Sequence, residues 1–334
     1  MIQKRVTIED IAQEVGFSAN TVSRALNERG EIRLETKNTI LEAAHRLGYH
    51  PNRLAQRLRQ NRTGIIGVVV ADNSNPFFAA VVKGIENAAA ANDYSIILKD
   101  SNETPETEQE SIEIMLAEQV DGLIIAPVRD QGEELAALVE SRFPIVAIAR
   151  YPKGWNSHYV VVDNVRAGHL ATSHLLDRGY QRIALINGPQ SDLSAENRFE
   201  GYMQALSERG IELDMNLVSY GATTMEQGYE RGKELLATEN PPTAVHAFSD
   251  YVAVGFIRAA REASVRIPSD VAIVGFDDIA VSAYLAPSLS TISVPIKEMG
   301  KKAAEILLAN IDSDKDVQLF QLKLDPKLVA RESS

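Results

Sequence analysis

Apolar residues recur at helical spacing through the first 50 positions and then, from Gly64 onward, gather in short unbroken runs. Thr7 can cap a helix reaching Val15, in which Ile8, Ile11, Ala12 and Val15 share one face at i, i+3, i+4 and i+7. Gly16 stands where a helix C-terminus wants a residue free to turn left-handed. Ser18 can cap a second helix, Ala19–Asn27, that buries Val22, Ala25 and Leu26. Two short helices about a glycine-centred turn make a helix-turn-helix. A third helix, about Glu35–Leu47, buries Ile40, Leu41, Ala44 and Leu47 and stops at Gly48.

From Gly64 the pattern is that of an α/β protein. Apolar runs suited to strands are Gly64–Ala71, Ser95–Asp100, Gly122–Ala126, Ile145–Ala149, Tyr159–Val162, Arg182–Asn187, Ala244–Phe248, Val271–Phe276 and Ser290–Ser293. Between them lie amphipathic stretches such as Phe78–Asn92, Thr107–Glu118, Arg166–Asp177 and Arg198–Arg209. Strands apolar throughout, alternating with helices, predict parallel sheets covered on both faces. Two halves can be made out, with a joint near Asp163-Asn164.

Length and charge sharpen this picture. A chain of 334 residues exceeds what one core usually serves, so at least two domains are expected. The net charge of −12 argues against nucleic acid until its distribution is read. Residues 1–62 hold 11 of the 34 basic and 7 of the 46 acidic side chains, a net of +4, which leaves −16 on the remainder. A basic head on an acidic body is the electrostatic footprint of a DNA reader joined to something else. Cysteine is absent, which excludes disulfides, thiolate metal sites and cysteine nucleophiles. The start Met1–Val6 has no apolar signal core, and no run approaches membrane length, so a cytoplasmic protein is expected. Phosphate-loop, dinucleotide-fingerprint and zincin spacings are missing from the sequence. His169 and His174 read as partly packed helix residues, and Asp277-Asp278 as neighbours pointing apart rather than a catalytic pair. No enzyme activity, cofactor or metal is expected.

Five stretches resemble the lactose/galactose-repressor family. Val6-Thr7-Ile8-Glu9-Asp10-Ile11-Ala12, Val15-Gly16-Phe17-Ser18 and Thr21–Asn27 match its head, Leu47–Asn52 continues it, and Ile273–Asp278 matches a late strand. The resemblance implies a head at 1–50, a hinge helix and linker at 51–62, and a periplasmic-binding-protein-like body at 63–334. That body would hold an N-subdomain (63–162 with 293–320) and a C-subdomain (163–292 with 321–334), each a doubly wound parallel sheet. It also implies that Ala19, Asn20 and Arg24 face base edges in the major groove. Asn suits adenine and Arg suits guanine, while Ala19 offers only a methyl contact. Thr7, Ser18, Thr21, Ser23 and Asn27 suit phosphate positioning. For Thr7 and Ser18 the competing role is helix capping, and for Arg24 a solvated surface. Arg33 departs from the serine often found there, which weakens the cap of the third helix. Pro51–Arg59 would form the hinge helix, with Ala55 at the close approach of two copies and Leu58 wedged into a minor-groove base step.

In the body, ligands of open α/β sheets sit beyond the carboxyl ends of strands. Asp72, Asn73, Phe78, Arg150, Asp163, Arg198, Asp250 and Asp277 are the effector-binding candidates. Carboxylates, arginines and an amide about an aromatic face suit the hydroxyls and C–H face of a sugar. Purine-sensing relatives place aromatics where this chain has Arg150 and Thr223, which favours a saccharide or derivative. The expectation is a homodimeric repressor of sugar-metabolism genes controlled by a carbohydrate. A purine- or phosphoprotein-responsive member, an activator, and a transporter's solute-binding protein remain as alternatives; the last would call for an export signal in place of the basic head.

Overall fold

The structure, a computed structural model, describes residues 6–26, 32–49, 62–128, 133–312 and 318–334. The chain divides into two compact units, Met1–Thr63 and Gly64–Ser334.

The first unit contains α1 (Ile8–Val15), α2 (Ala19–Leu26) and α3 (Leu34–Leu47). Their apolar stripes meet in one small core of Ile11, Val22, Ala25, Ile40, Ala43 and Ala44. Thr7 and Asp10 cap α1 reciprocally, and Gly16 closes it with φ 72°. Arg33 precedes α3 without a side-chain capping bond, as its departure from serine implied. Asn27 and the whole of Pro51–Arg59, including Ala55 and Leu58, lie outside the described residues.

The second unit is built on two six-stranded sheets. The first comprises β1 (Ile65–Val70), β2 (Ser95–Asp100), β3 (Gly122–Ile125), β4 (Ile145–Ala149), β5 (His158–Val162) and β11 (Gln321–Leu324), in the order β11-β5-β4-β3-β1-β2 and parallel throughout. The second comprises β6 (Ile183–Ile186), β7 (Val218–Ser219), β8 (Ala244–Ala247), β9 (Ala272–Asp277), β10 (Ser290–Ser293) and β12 (Lys327–Val329), in the order β12-β10-β9-β8-β6-β7. Only β12 runs antiparallel to its neighbour among these pairings. Helices α4 (Pro76–Ala91), α5 (Pro105–Ala117), α6 (Glu133–Glu140) and α11 (Ile296–Ile311) accompany the first sheet. Helices α7 (Asn164–Asp177), α8 (Leu193–Glu208), α9 (Met225–Leu236) and α10 (Asp250–Glu262) accompany the second. The central strands are buried almost completely, as all-apolar parallel strands require.

The chain passes between the sheets three times: after β5, after β10 and after β11. The expected boundary at 321 therefore moves. Gln321–Leu324 pairs with β5 in the first sheet, so the final crossing comes after Leu324 rather than before Gln321. The cause is local: alternating Gln-Leu-Lys-Leu makes a half-covered edge strand that continues the first sheet. Helices also begin earlier than their apolar stripes suggested, because Asn75, Thr104, Asp163, Asp192 and Ser249 cap them upstream. Arg198, expected at the start of its helix, thus sits in the second turn of α8.

Candidate nucleic-acid face and effector cavity

In the first unit, α2 buries Val22 and Ala25 and presents Ala19, Asn20 and Arg24 to solvent. Asn20 and Arg24 are four residues apart and stack on one face. Neither side chain has a hydrogen-bond partner among the described residues. Ser18 Oγ accepts from the Thr21 amide at 3.1 Å and lies 2.9 Å from the Thr21 hydroxyl, so these two side chains organise the start of α2. Thr7 is engaged likewise, its amide donating to Asp10 at 2.7 Å. Thr21 and Ser23 are half-buried. The helix thus offers an amide and a guanidinium on a scaffold whose hydroxyls are spent partly on capping.

In the second unit, a cavity of about 360 Å³ opens where the carboxyl ends of both sheets converge. The first subdomain contributes Asp72, Phe77 and Phe78 after β1, Asn102 and Glu103 after β2, and Arg150 after β4. The second contributes Asp192 and Arg198 from the start of α8, Thr224 and Gln227 from α9, Phe248 after β8, and Asp277 at the end of β9. Asn164, at the first crossing, belongs to the lining as well.

Two guanidiniums organise this space. Arg198 lies between two aromatic rings, its guanidinium carbon 3.5 Å from the Phe276 centroid and 4.4 Å from that of Phe248. Its Nε donates to Asn164 Oδ1 at 2.9 Å, and Nη1 donates to the Phe248 carbonyl. Burial pushes its pKa down to about 10, against the pull of Asp277 and Asp192. Close packing makes this placement possible: Gly168 of α7 lies against the Arg198 backbone carbonyl, where a Cβ would overlap it. Arg150, whose side chain is only 10% exposed, pairs with Glu103 at 2.6 Å and with Asp192 at 2.9 Å. Its Nε donates to the Pro127 carbonyl. Burial opposes its charge, but Asp192 and Glu103 outweigh that and hold the guanidinium above its ordinary pKa. Asp192 is fixed in turn by the Ser194 amide and hydroxyl, at 2.8 and 2.6 Å. Glu103 and Asp192 belong to opposite subdomains, so Arg150 spans the cleft.

Asp277 has no side-chain hydrogen bond among the described residues. Burial raises its pKa well above the usual carboxylate range, opposed by Arg198 and reinforced by Asp250. Its φ of 106°, with 51° at Asn102, 55° at Glu103 and 62° at Ala149, places four non-glycine residues of the cavity wall at positive φ, where strain is held by the surrounding packing.

Of the eight effector candidates, Asp72, Phe78, Arg150, Arg198 and Asp277 line the cavity. Three do not. Asn73 is exposed, its amide donating to Asp100 at 3.1 Å. Asp163 caps α7 by accepting from the Arg166 amide. Asp250 is sealed behind β9, accepting from the Ser282 and Thr291 hydroxyls at 2.6 Å each and the Ile279 amide at 3.0 Å. These three follow strand ends in sequence, but Asp163 caps a helix, Asp250 braces a buried cluster, and Asn73 sits exposed in a turn. Sequence reasoning passed over Glu103 and Asp192, and placed Asn164 at the joint without counting it among the effector-binding candidates. The strand-end rule, applied also after β2 and β6, points to Asn102, Glu103 and Asp192.

A three-helix head with a polar second helix, followed by a two-sheet clamp around a polar cavity, is the build of a DNA-binding transcriptional regulator. Comparison with known proteins gives the family. Residues 7–52 match the model of bacterial regulatory proteins of the lacI family, and residues 63–322 that of periplasmic binding proteins and the sugar-binding domain of the LacI family. The chain belongs to the LacI family. It is similar to the HTH-type transcriptional regulator DegA of Bacillus subtilis, with 34% identity over 99% of this chain and 98% of the relative. It is also similar to the repressor PurR of Mannheimia succiniciproducens, with 31% identity and 98% of each chain covered. A third relative is the ribose operon repressor of Halalkalibacterium halodurans, with 33% identity over 98% of this chain and 97% of that one. Among solved structures, the Lac repressor dimer bound to operator and the anti-inducer ONPF superposes with a TM-score of 0.87, 26% identity and 99% of each chain covered. A complex of the transcriptional regulator CelR with cellobiose gives 0.75 and 31%, covering 99% of this chain and all of that one.

Proposed function

We propose that this chain is a homodimeric repressor that reads a pseudo-palindromic operator with Asn20 and Arg24 and releases or tightens it when a small saccharide fills the cavity between the sheets. The observation that carries the reading is the cavity itself, whose wall comes from both subdomains. A ligand there contacts both halves and biases their relative placement, which is the differential binding that allostery requires. Support for a saccharide comes from the lining. The faces of Phe248 and Phe276 that meet Arg198 are already occupied, and the Asp277 carboxyl and the Gln227 side-chain nitrogen are hydrogen-bonding groups in the lining suited to hydroxyls. The dimer and the operator are those of the Lac repressor structure, and a sugar ligand is that of the CelR complex; both carry to this chain as part of this proposal.

A nucleobase effector is the second reading, favoured by full-length similarity to PurR repressors. Thermal-shift titration of the purified protein against sugars and nucleobases separates the two, since a ligand that binds only the folded state raises the melting temperature with concentration. A shift with sugars, accompanied by altered affinity for promoter DNA, is the expected outcome. Shifts with nucleobases alone would replace the saccharide reading with the second one.

A further inference from the structure

Building on the saccharide reading, we propose that the cavity is selective for an uncharged polyhydroxyl effector and rejects the phosphorylated or carboxylated forms of the same sugar. The selectivity rests on Arg150 being consumed by Glu103 and Asp192.

Two guanidiniums at a ligand cavity ordinarily suggest an anion site. Here every nitrogen of Arg150 is engaged, and Arg198 keeps only Nη2 without a hydrogen-bond partner among the described residues. Arg150 spends Nη2 on Glu103 at 2.6 Å, Nη1 on Asp192 at 2.9 Å, and Nε on the Pro127 carbonyl, so each nitrogen of the fork has an acceptor. Arg198 spends Nε on Asn164 and Nη1 on the Phe248 carbonyl, with aromatic rings over its plane. The charged groups of the lining are Arg150 and Arg198 against Asp72, Glu103, Asp192 and Asp277. The wall is negative by two when all are ionised and still negative by one if Asp277 holds a proton.

Helix starts around the cavity do not supply the missing positive charge. Amide groups at their first turns, which would otherwise draw an anion, already have side-chain acceptors: Asn75 takes the Phe77 amide, Asp192 that of Ser194, and Ser249 that of Val252. At α9 the amides of Thr223 and Thr224 both donate to Gln227 Oε1. A phosphate or carboxylate entering this space would meet an acidic wall and lose its water for no more than the Nη2 edge of Arg198. A hydroxyl would find an open acceptor in Asp277, which lines the cavity without a side-chain hydrogen bond among the described residues.

The experiment compares each neutral sugar with its anionic counterpart at fixed ionic strength: ribose with ribose 5-phosphate, glucose with glucose 6-phosphate and gluconate, and cellobiose with cellobionate. Binding to the full chain is read by thermal shift and by the fluorescence of Trp155, the single tryptophan, whose Nε1 donates to the His158 carbonyl. The expected result is at least one neutral sugar that binds about tenfold or more tighter than its anionic partner. Binding confined to anionic members overturns this inference while leaving the saccharide reading intact. Silence from every sugar overturns both. A second arm uses Glu103→Gln, which leaves the Asp192 cap of α8 in place and removes one of the two negative charges that neutralise Arg150. It should narrow the neutral-over-anionic preference by about fivefold or more; an unchanged ratio in a variant that melts normally overturns the part given to Arg150.

Discussion

His246 is sealed into the second core with Nδ1 3.3 Å from the Thr172 hydroxyl and with Nε2 lacking a hydrogen-bond partner among the described residues. Burial, aided by the nearby Arg198 charge, pushes its pKa down to about 3 from 6.5. The unfolded chain therefore takes up a proton that the folded one refuses, and stability falls as pH drops through 6.5 toward 3. His246→Gln should flatten this limb, seen as a smaller change in urea midpoint between pH 7 and pH 5 than the parent shows. Asp250 has the opposite sign. Burial raises its pKa to about 6, against the three hydrogen bonds it accepts, so its contribution is greatest below 3.8 and declines as pH rises through about 6. Asp250→Ala should remove that decline and strand the Ser282 and Thr291 hydroxyls, a net loss of about 1–3 kcal/mol in denaturant melts at pH 7. On the head, Arg24→Ala should cost about 1–3 kcal/mol on specific operator and relax the preference at one base, while leaving non-specific binding nearly unchanged. Fluorescence anisotropy on specific and scrambled duplexes checks it. Side chains of this kind were readable from sequence where chemistry and strand end coincide, as at Arg150 and Asp277. Asp250 and Asp163 satisfy the same rule, yet their carboxylates turn inward or cap a helix. Direction depends on packing partners distant in sequence, so the rule could not separate them.

At the scale of elements, Arg150 ties the end of β4 to the start of α8. Arg150→Gln leaves the carboxylate of Asp192, 4% exposed, without its guanidinium, and breaking a buried pair from one side costs about 3–5 kcal/mol. Urea unfolding of the full chain should show a loss of that order, whereas replacing Lys153 in its exposed pair with Glu196 should change little. Crossings of paired helices are equally demanding. A Cβ at Gly168 would overlap the Arg198 carbonyl, so Gly168→Ala should push α7 from α8 at a cost of about 1–3 kcal/mol, displace Arg198, and weaken effector binding beyond the stability loss. Nine strands and most helices were legible because most of the strands are apolar runs buried on both faces and the helices carry an apolar stripe at helical spacing. The three strands that were not, β7, β11 and β12, are two to four residues long and lie at sheet edges, half-covered. A two-residue bridge such as Val218-Ser219 has no period to detect; it exists because β6 presents an open edge beside it.

Across the whole molecule, charge separates a basic head from an acidic body, and the two should respond differently to salt. Operator affinity is expected to fall steeply with ionic strength through counterion release, whereas an uncharged effector's affinity for the cavity should barely move; parallel titrations at 50 and 200 mM salt would reveal equal dependence if this division is wrong. Leu58→Ala, in the stretch that the family resemblance reads as a hinge helix and that lies outside the described residues, should abolish most specific DNA affinity and leave the effector's thermal shift intact. Finally, the three passages between sheets interleave the halves in sequence. The first sheet receives β11 and its covering helix α11 only after the second has been almost completed. A nascent chain leaving the ribosome therefore cannot finish its first half early: residues up to Val162 must wait, with the face that α11 will cover still bare, until nearly the entire message has been read. Premature stop codons late in the gene should accordingly yield aggregates or degraded product rather than a shortened sensor with a working front portion.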